Sequence, residues 1–138
     1  MLRPRGAVNL VSLVLLLGLA AVVYLGWIFV PPWLDHLDMR EATTAAFNRM
    51  ATDLDDERIR SFLLAKAKTT GSHWESRGGA WVEAPGLGLS ESNISLERES
   101  GSRTARVAVD YQRRVRFVPT DYFQTLDFHA EKAGTLPQ

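Results

Sequence analysis

From Val8 to Val30 the chain carries no charged residue, and its only strongly polar side chains, Asn9 and Ser12, lie near the start. Such a stretch has few possible fates. About twenty apolar residues at 1.5 Å rise cross a hydrocarbon core of roughly 30 Å, whereas a helix of a globular domain returns a polar residue every turn. A secretory signal peptide has a hydrophobic region of only about 7–15 residues. Gly18 and Ala20 suit a small-x-small cleavage site, yet a cut there leaves AVVYLGWIFVPPW as an apolar new terminus. A permanent transmembrane helix over residues 8–30 is therefore expected. Tyr24, Trp27 and Trp33 cluster at its far end, where amphipathic rings favour the headgroup level, and Pro31-Pro32 are expected to interrupt the helix as it leaves the lipid. Arg3 and Arg5 precede the span without an acid, while Asp35, Asp38 and Glu41 follow it against Arg40. The positive-inside bias then puts residues 1–7 in the cytoplasm and the bulk of the chain outside. Gly18 and Gly26, with Ala20 and Ala21 between them, offer a close approach to another membrane helix.

What remains, roughly one hundred residues, can bury a single core near the lower end of independent stability, so lipid or a partner subunit is expected to supply part of the order. The 138 residues hold 16 basic and 16 acidic side chains, a formal net charge of zero. That balance gives no global pull towards nucleic acid, and no nucleic-acid partner is expected. The absence of cysteine excludes disulfides, thiolate metal sites and cysteine nucleophiles.

Residues 31–71 read as helical. Met39, Thr43, Ala46, Phe47, Met50 and Leu54 recur at three- and four-residue spacing, which predicts a helix from Trp33 to about Leu54 that runs almost continuously from the membrane. A second helix starts at Asp55 as N-cap, with Leu54 and Ile59 as a hydrophobic staple, and stops at Gly71. Its buried face is expected to be Ile59, Phe62 and Leu63. Residues 72–92 are loop by their Gly, Ser and Pro content, with AWVE as an added short strand. Trp74 and Trp81 in this loop are lids over a thin core or exposed anchors for a partner, and the burial preference of large aromatics favours the lid.

Over residues 93–132 the period changes from helical to alternating. Ile94 and Leu96, then Val107, Val109, Tyr111, Val115 and Phe117, then Tyr122, Leu126 and Phe128 share one face of a three-stranded antiparallel meander. A two-residue type II′ turn at Gly101-Ser102 sets Leu96 opposite Val107, Ile94 opposite Val109 and Glu97 opposite Arg106, with apolar pairs on one face and an ion pair on the other. Pro119 marks the second turn. Arg113 falls on the apolar face, which requires a bulge, a sheet edge, or an inward charge paired with a carboxylate. Residues 133–138 are a tail. The fold class expected is α+β: a transmembrane helix, amphipathic helices, and a meander packed on a helix.

Arg5-Gly6 before the apolar helix, Val30-Pro31 at its exit, DERIRSFLLAKA, and ISLERESGSRTARVAVDYQRRVRFV followed by YFQTLDFHAEK form a pattern. It resembles a bacterial family of short single-span membrane proteins with a pilin-like N-terminus, catalogued as a domain of unknown function. The long Gly/Trp loop departs from that pattern. The family has no established catalytic residues to carry over, so the resemblance implies a topology and a bacterial inner membrane with a periplasmic domain. Pilin leaders are cut after a glycine that follows basic residues, here Gly6, and mature pilins keep a Glu at the fifth position, where this chain has Val11.

His36, His73 and His129 have no second ligand-type residue at metal spacing and are expected to be exposed or interfacial. The GLGLS run at 86–90 is neither a nucleophile elbow nor a phosphate loop. Asp35, Asp38 and Glu41 fit a solvated helix face at the membrane exit. Arg103, Arg106, Arg114 and Arg116 fall mostly on the polar face of the central strand; with Arg113 they would grip a partner's carboxylates or anionic headgroups, or pair with Glu97, Asp110 and Asp127. NIS at 93–95 is a glycosylation pattern without meaning in a bacterial setting. The expectation is a non-catalytic accessory or scaffolding subunit of a larger membrane complex, without a cofactor. It would bind lipid and other membrane subunits through its span and periplasmic domain, with Gly18, Gly26, Trp74, Trp81, Arg113, Arg114 and Arg116 as contact residues. The alternatives are a pseudopilin-like subunit processed after Gly6 and a small ligand-binding domain.

Overall fold

The computed structural model describes residues 9–138, so Arg3, Arg5, Gly6 and the expected cytoplasmic segment lie outside the described residues. Asn9 caps the first helix, its side chain accepting from the Val11 amide at 3.3 Å. This helix, α1, runs unbroken over Leu10–Arg49. Pro31 and Pro32 lie inside it and do not end it, contrary to the sequence expectation. Each proline removes one amide donor, from the carbonyls of Trp27 and Ile28, and the remaining ladder of the helix continues on either side of them.

The two halves of α1 have opposite surroundings. From Leu10 to Leu25 every side chain is exposed, and this half is long and apolar enough to cross a membrane. From Ile28 onwards a stripe at helical spacing is buried: Pro32, His36, Met39, Ala42, Thr43, Ala46 and Phe47. Helix α2, Asp56–Thr69, packs beside this half through Ile59, Leu63 and Ala67, with Phe62 only half-buried under the Arg49 guanidinium at 3.8 Å. Asp55 is the N-cap, accepting from the Glu57 amide at 3.1 Å. Leu54, however, is 84% exposed, so there is no staple, and α1 stops five residues earlier than the stripe suggested. The cause is local. Asp53 accepts from the Asp55 amide at 2.9 Å in an Asx turn that directs Leu54 outwards. Arg98 then pins the loop, donating to the carbonyls of Met50 and Asp53 and to the Asp56 carboxylate at 2.8, 2.8 and 2.9 Å.

Residues 72–92 are more ordered than their composition suggests. They form a hairpin of β1, Ser72–Arg77, and β2, Ala80–Pro85, joined by Gly78-Gly79 with φ of +58° and +84°. Two consecutive positive φ values are what a type I′ turn demands, and two glycines meet them without side-chain strain. Gly86 and Leu87 then close on α2, the Leu87 amide donating to the Ala67 carbonyl at 2.9 Å. The GLGLS run thus caps the end of a helix.

The main sheet is the antiparallel meander β3 (Ile94–Arg98), β4 (Thr104–Phe117) and β5 (Tyr122–Thr135) in the order β3-β4-β5. Its register is the expected one: Ile94 faces Val109, Leu96 faces Val107 and Glu97 faces Arg106. The turn that sets it differs. Ser102 donates to the Glu99 carbonyl and Gly101, at φ +84°, occupies its third position, so the turn sits one residue earlier than a Gly101-Ser102 type II′ turn. Pro119 lies in the second turn, as expected. The inner face, with Ala105, Val107, Val109, Tyr111, Phe128 and Ala130, packs on α1 and α2 around Met39, Met50, Ile59 and Leu63. The architecture is α+β in two layers, and one helix is both the apolar rod and the spine of the domain.

Candidate functional site

The region of interest lies where α1 leaves its apolar half and meets the β4–β5 turn. Phe29 packs edge-on against Phe117 at 5.9 Å, and the Tyr24 hydroxyl donates to the Val118 carbonyl at 2.6 Å. The sheet therefore reaches back along the helix to the level of Tyr24. Trp27 is 82% exposed, and Trp33, Val118 and Tyr122 are exposed around it. A Cβ built on Gly18 or Gly26 would meet nothing within 4 Å, so no other part of the described chain lies against either position.

Arg113 resolves as an inward charge. It pairs in register with Leu126, without a bulge, and its guanidinium donates to the Asp35 carboxylate on α1. The two side chains are 10% and 19% exposed. This corrects the reading of Asp35 as part of a solvated helix face. A guanidinium on an apolar strand face needs a counter-charge from the opposing layer, and Asp35 is the acid that α1 turns towards the sheet. Gly71, the C-terminal stop of α2 at φ +60°, lies against the pair, and a Cβ there would collide with the Asp35 carboxylate.

His36 is likewise buried, against expectation. It stacks on Phe128 at 4.8 Å, and its Nδ1 is 3.1 Å from the Tyr111 hydroxyl. Burial, with Arg40 and His129 nearby, lowers its pKa from 6.5. Burial also raises the Tyr111 hydroxyl above its ordinary value, against the Arg113 charge, which lowers it. Asp35–Arg113 and His36–Tyr111 form two adjacent polar ties between α1 and β4. His73 is half-buried and donates from Nδ1 to the Gly86 carbonyl at 2.7 Å.

Trp74 and Trp81 do not cover the main core. They pack on Phe123 at 5.6 and 5.2 Å, on the face of β4–β5 that turns away from α1. Arg114 lies 4.9 Å over the Trp81 ring and Arg116 lies 5.6 Å over Trp74. A satellite cluster of alternating aromatic and guanidinium groups results, with Trp81 still 42% exposed. The signal for it was Phe123, whose phase is opposite to that of Tyr122 and Leu126. Between hairpin, helix and β4 opens a cleft of about 480 Å³, lined by Tyr24, Trp27, Pro31, Ser72, Trp74, Glu83 and Arg113 to Arg116.

Towards the other end of the sheet the polar face is an exposed charge network. Arg106 makes two hydrogen bonds to Glu131 at 3.0 and 3.1 Å and lies 3.8 Å from Glu97. His129 lies 2.5 Å from Asp110 and 2.9 Å from Glu131, and these hydrogen bonds raise its pKa above 6.5. Asp127 accepts from Gln112 at 2.8 Å. Arg103 donates to the Pro137 carbonyl at 3.4 Å. Among the described residues no group of three or more His, Cys, Asp or Glu side chains is placed to hold a metal ion. No protein-family model matches the chain, and no curated protein or solved structure matches it.

Proposed function

We propose that the protein is a single-pass bacterial inner-membrane subunit, N-terminus cytoplasmic, whose small periplasmic domain serves as a non-catalytic accessory or scaffolding element of a larger membrane complex. The observation that carries this reading is the continuity of α1. Its exposed apolar half and its buried half belong to one 40-residue helix, so a contact in the bilayer and a contact on the domain are held in fixed relation. Two further features support it. The surface around Gly18 and Gly26 is open for a neighbouring helix, and the ties at Asp35–Arg113 and His36–Tyr111 hold the sheet to the helix just outside the membrane. The resemblance to short single-span bacterial proteins agrees with this topology.

Copurification in mild detergent tests the reading. The expected result is a stoichiometric complex with other integral membrane chains. A monodisperse monomer under the same conditions overturns the accessory role. The cleft beside Trp74 favours a second function, ligand binding, which takes a specific form below.

A further inference from the structure

Two recesses meet on α1 at Tyr24 and Trp27. One is the cleft of about 480 Å³ beside Trp74, with Arg114 and Arg116 in its wall. The other is an almost wholly apolar groove along Leu16, Leu19, Ala20 and Val23. We propose that they form one site, for a membrane phospholipid with an anionic headgroup: an acyl chain lies in the groove, and the phosphate is held by Arg114 and Arg116.

Length, charge and level all point this way. From Leu16 to Trp27 a helix rises about 16 Å, close to half of a hydrocarbon core of roughly 30 Å, so the groove spans one leaflet. Trp27 and Tyr24 then mark the boundary at which a phosphate sits, and the guanidinium groups begin there. Arg116 is already oriented, held by Asp121 at 2.5 Å and by the Thr120 carbonyl at 3.1 Å. Arg114 is exposed, stacked on Trp81, and has no carboxylate within ion-pair distance among the described residues. The Glu83 carboxylate, also in the cleft wall, accepts from the Ser72 hydroxyl on the hairpin. A planar fork at headgroup level matches a phosphate diester, and a zwitterionic choline headgroup would bring its own cation against Arg114. A partner helix in the groove would instead bring its interfacial end against uncompensated arginine.

The site rests on reading the first half of α1 as a span, and its test is separable from that reading. The full-length chain in neutral maltoside detergent is titrated with brominated-chain phosphatidylglycerol or brominated-chain phosphatidylcholine, and quenching of tryptophan fluorescence reports binding. Phosphatidylglycerol is expected to bind tighter. Arg114→Ala should weaken it roughly tenfold, the loss of one charge-assisted hydrogen bond, and leave phosphatidylcholine unchanged. Ala20→Phe, which fills the groove, should weaken both lipids, and Arg103→Ala, at the far end of the sheet, should weaken neither. Equal quenching by the two lipids, or an unchanged response in Arg114→Ala, overturns the proposal in favour of unspecific annular lipid. Displacement of the lipid headgroup by millimolar inorganic phosphate, with Ala20→Phe silent, overturns it in favour of a free-phosphate site. A bound protein chain that phosphatidylglycerol fails to displace also overturns it. A protein that stays in carbonate-washed membranes yet shows no headgroup preference loses this site while keeping its span.

Discussion

Removing the Asp35 carboxylate orphans Arg113 inside the helix–sheet interface. Arg113 is 10% exposed and Asp35 19%, so neither charge is fully solvated, and the guanidinium has no other acid within ion-pair distance among the described residues. Breaking a buried pair by deleting one partner costs about 3–5 kcal/mol, against about 0.2–1 kcal/mol for an exposed pair. Residual access of water to Asp35 places Asp35→Ala near the lower end, about 3 kcal/mol. For a domain of this size that lowers Tm by roughly 12 °C or more. The double variant Asp35→Leu with Arg113→Met removes both charges and keeps much of the volume, so it should recover most of the loss. The assay is thermal unfolding of the full-length chain in detergent, followed by tryptophan fluorescence. A loss under about 1 kcal/mol in Asp35→Ala, or a double variant as unstable as the single, refutes the buried-pair reasoning.

Gly71→Ala adds a Cβ at φ +60° against the Asp35 carboxylate, and should lower the urea midpoint by the equivalent of at least about 1 kcal/mol. Arg98→Lys keeps the charge but not the fork that serves Met50, Asp53 and Asp56, so a loss of about 1–3 kcal/mol and faster proteolysis of residues 50–55 are expected. His129 and His36 should work in opposite senses. His129, raised first by Asp110 and then by Glu131, contributes stability that is present below pH 6.5 and lost as pH rises through its folded pKa. His36, lowered by burial, contributes stability that is present above pH 6.5 and lost as pH falls through its folded pKa. Imidazole NMR titration checks both: midpoints on the same side of 6.5 would contradict the geometry.

The sheet was legible because alternation is a strong code. A one-residue slip would turn Val107 and Val109 to solvent, so register followed from side-chain phase even though the turn was misjudged. Arg113 broke that phase, and the break was the most informative residue in the strand. Its partner was not legible, since nothing in the spacing of Asp35, Asp38 and Glu41 says which acid faces a sheet more than seventy residues later in the chain. The β1–β2 hairpin was hidden by composition: Gly78-Gly79 carries a strong turn signal, but its flanking strands are too polar for alternation to stand out. Leu54 was misplaced because an Asx turn at Asp53 outweighed a stripe that fitted only by extrapolation. The satellite cluster of Trp74, Trp81 and Phe123 needed three separate strands to come together, which no local pattern encodes.

The central claim is that the first half of α1 lies permanently in a bilayer and carries the domain with it. Alkaline carbonate washing of membranes from cells that make the full-length chain tests this most directly. The expected result is that the protein stays entirely in the membrane pellet at its full mass. Recovery of the domain in the supernatant, whole or shortened within residues 8–30, would contradict it.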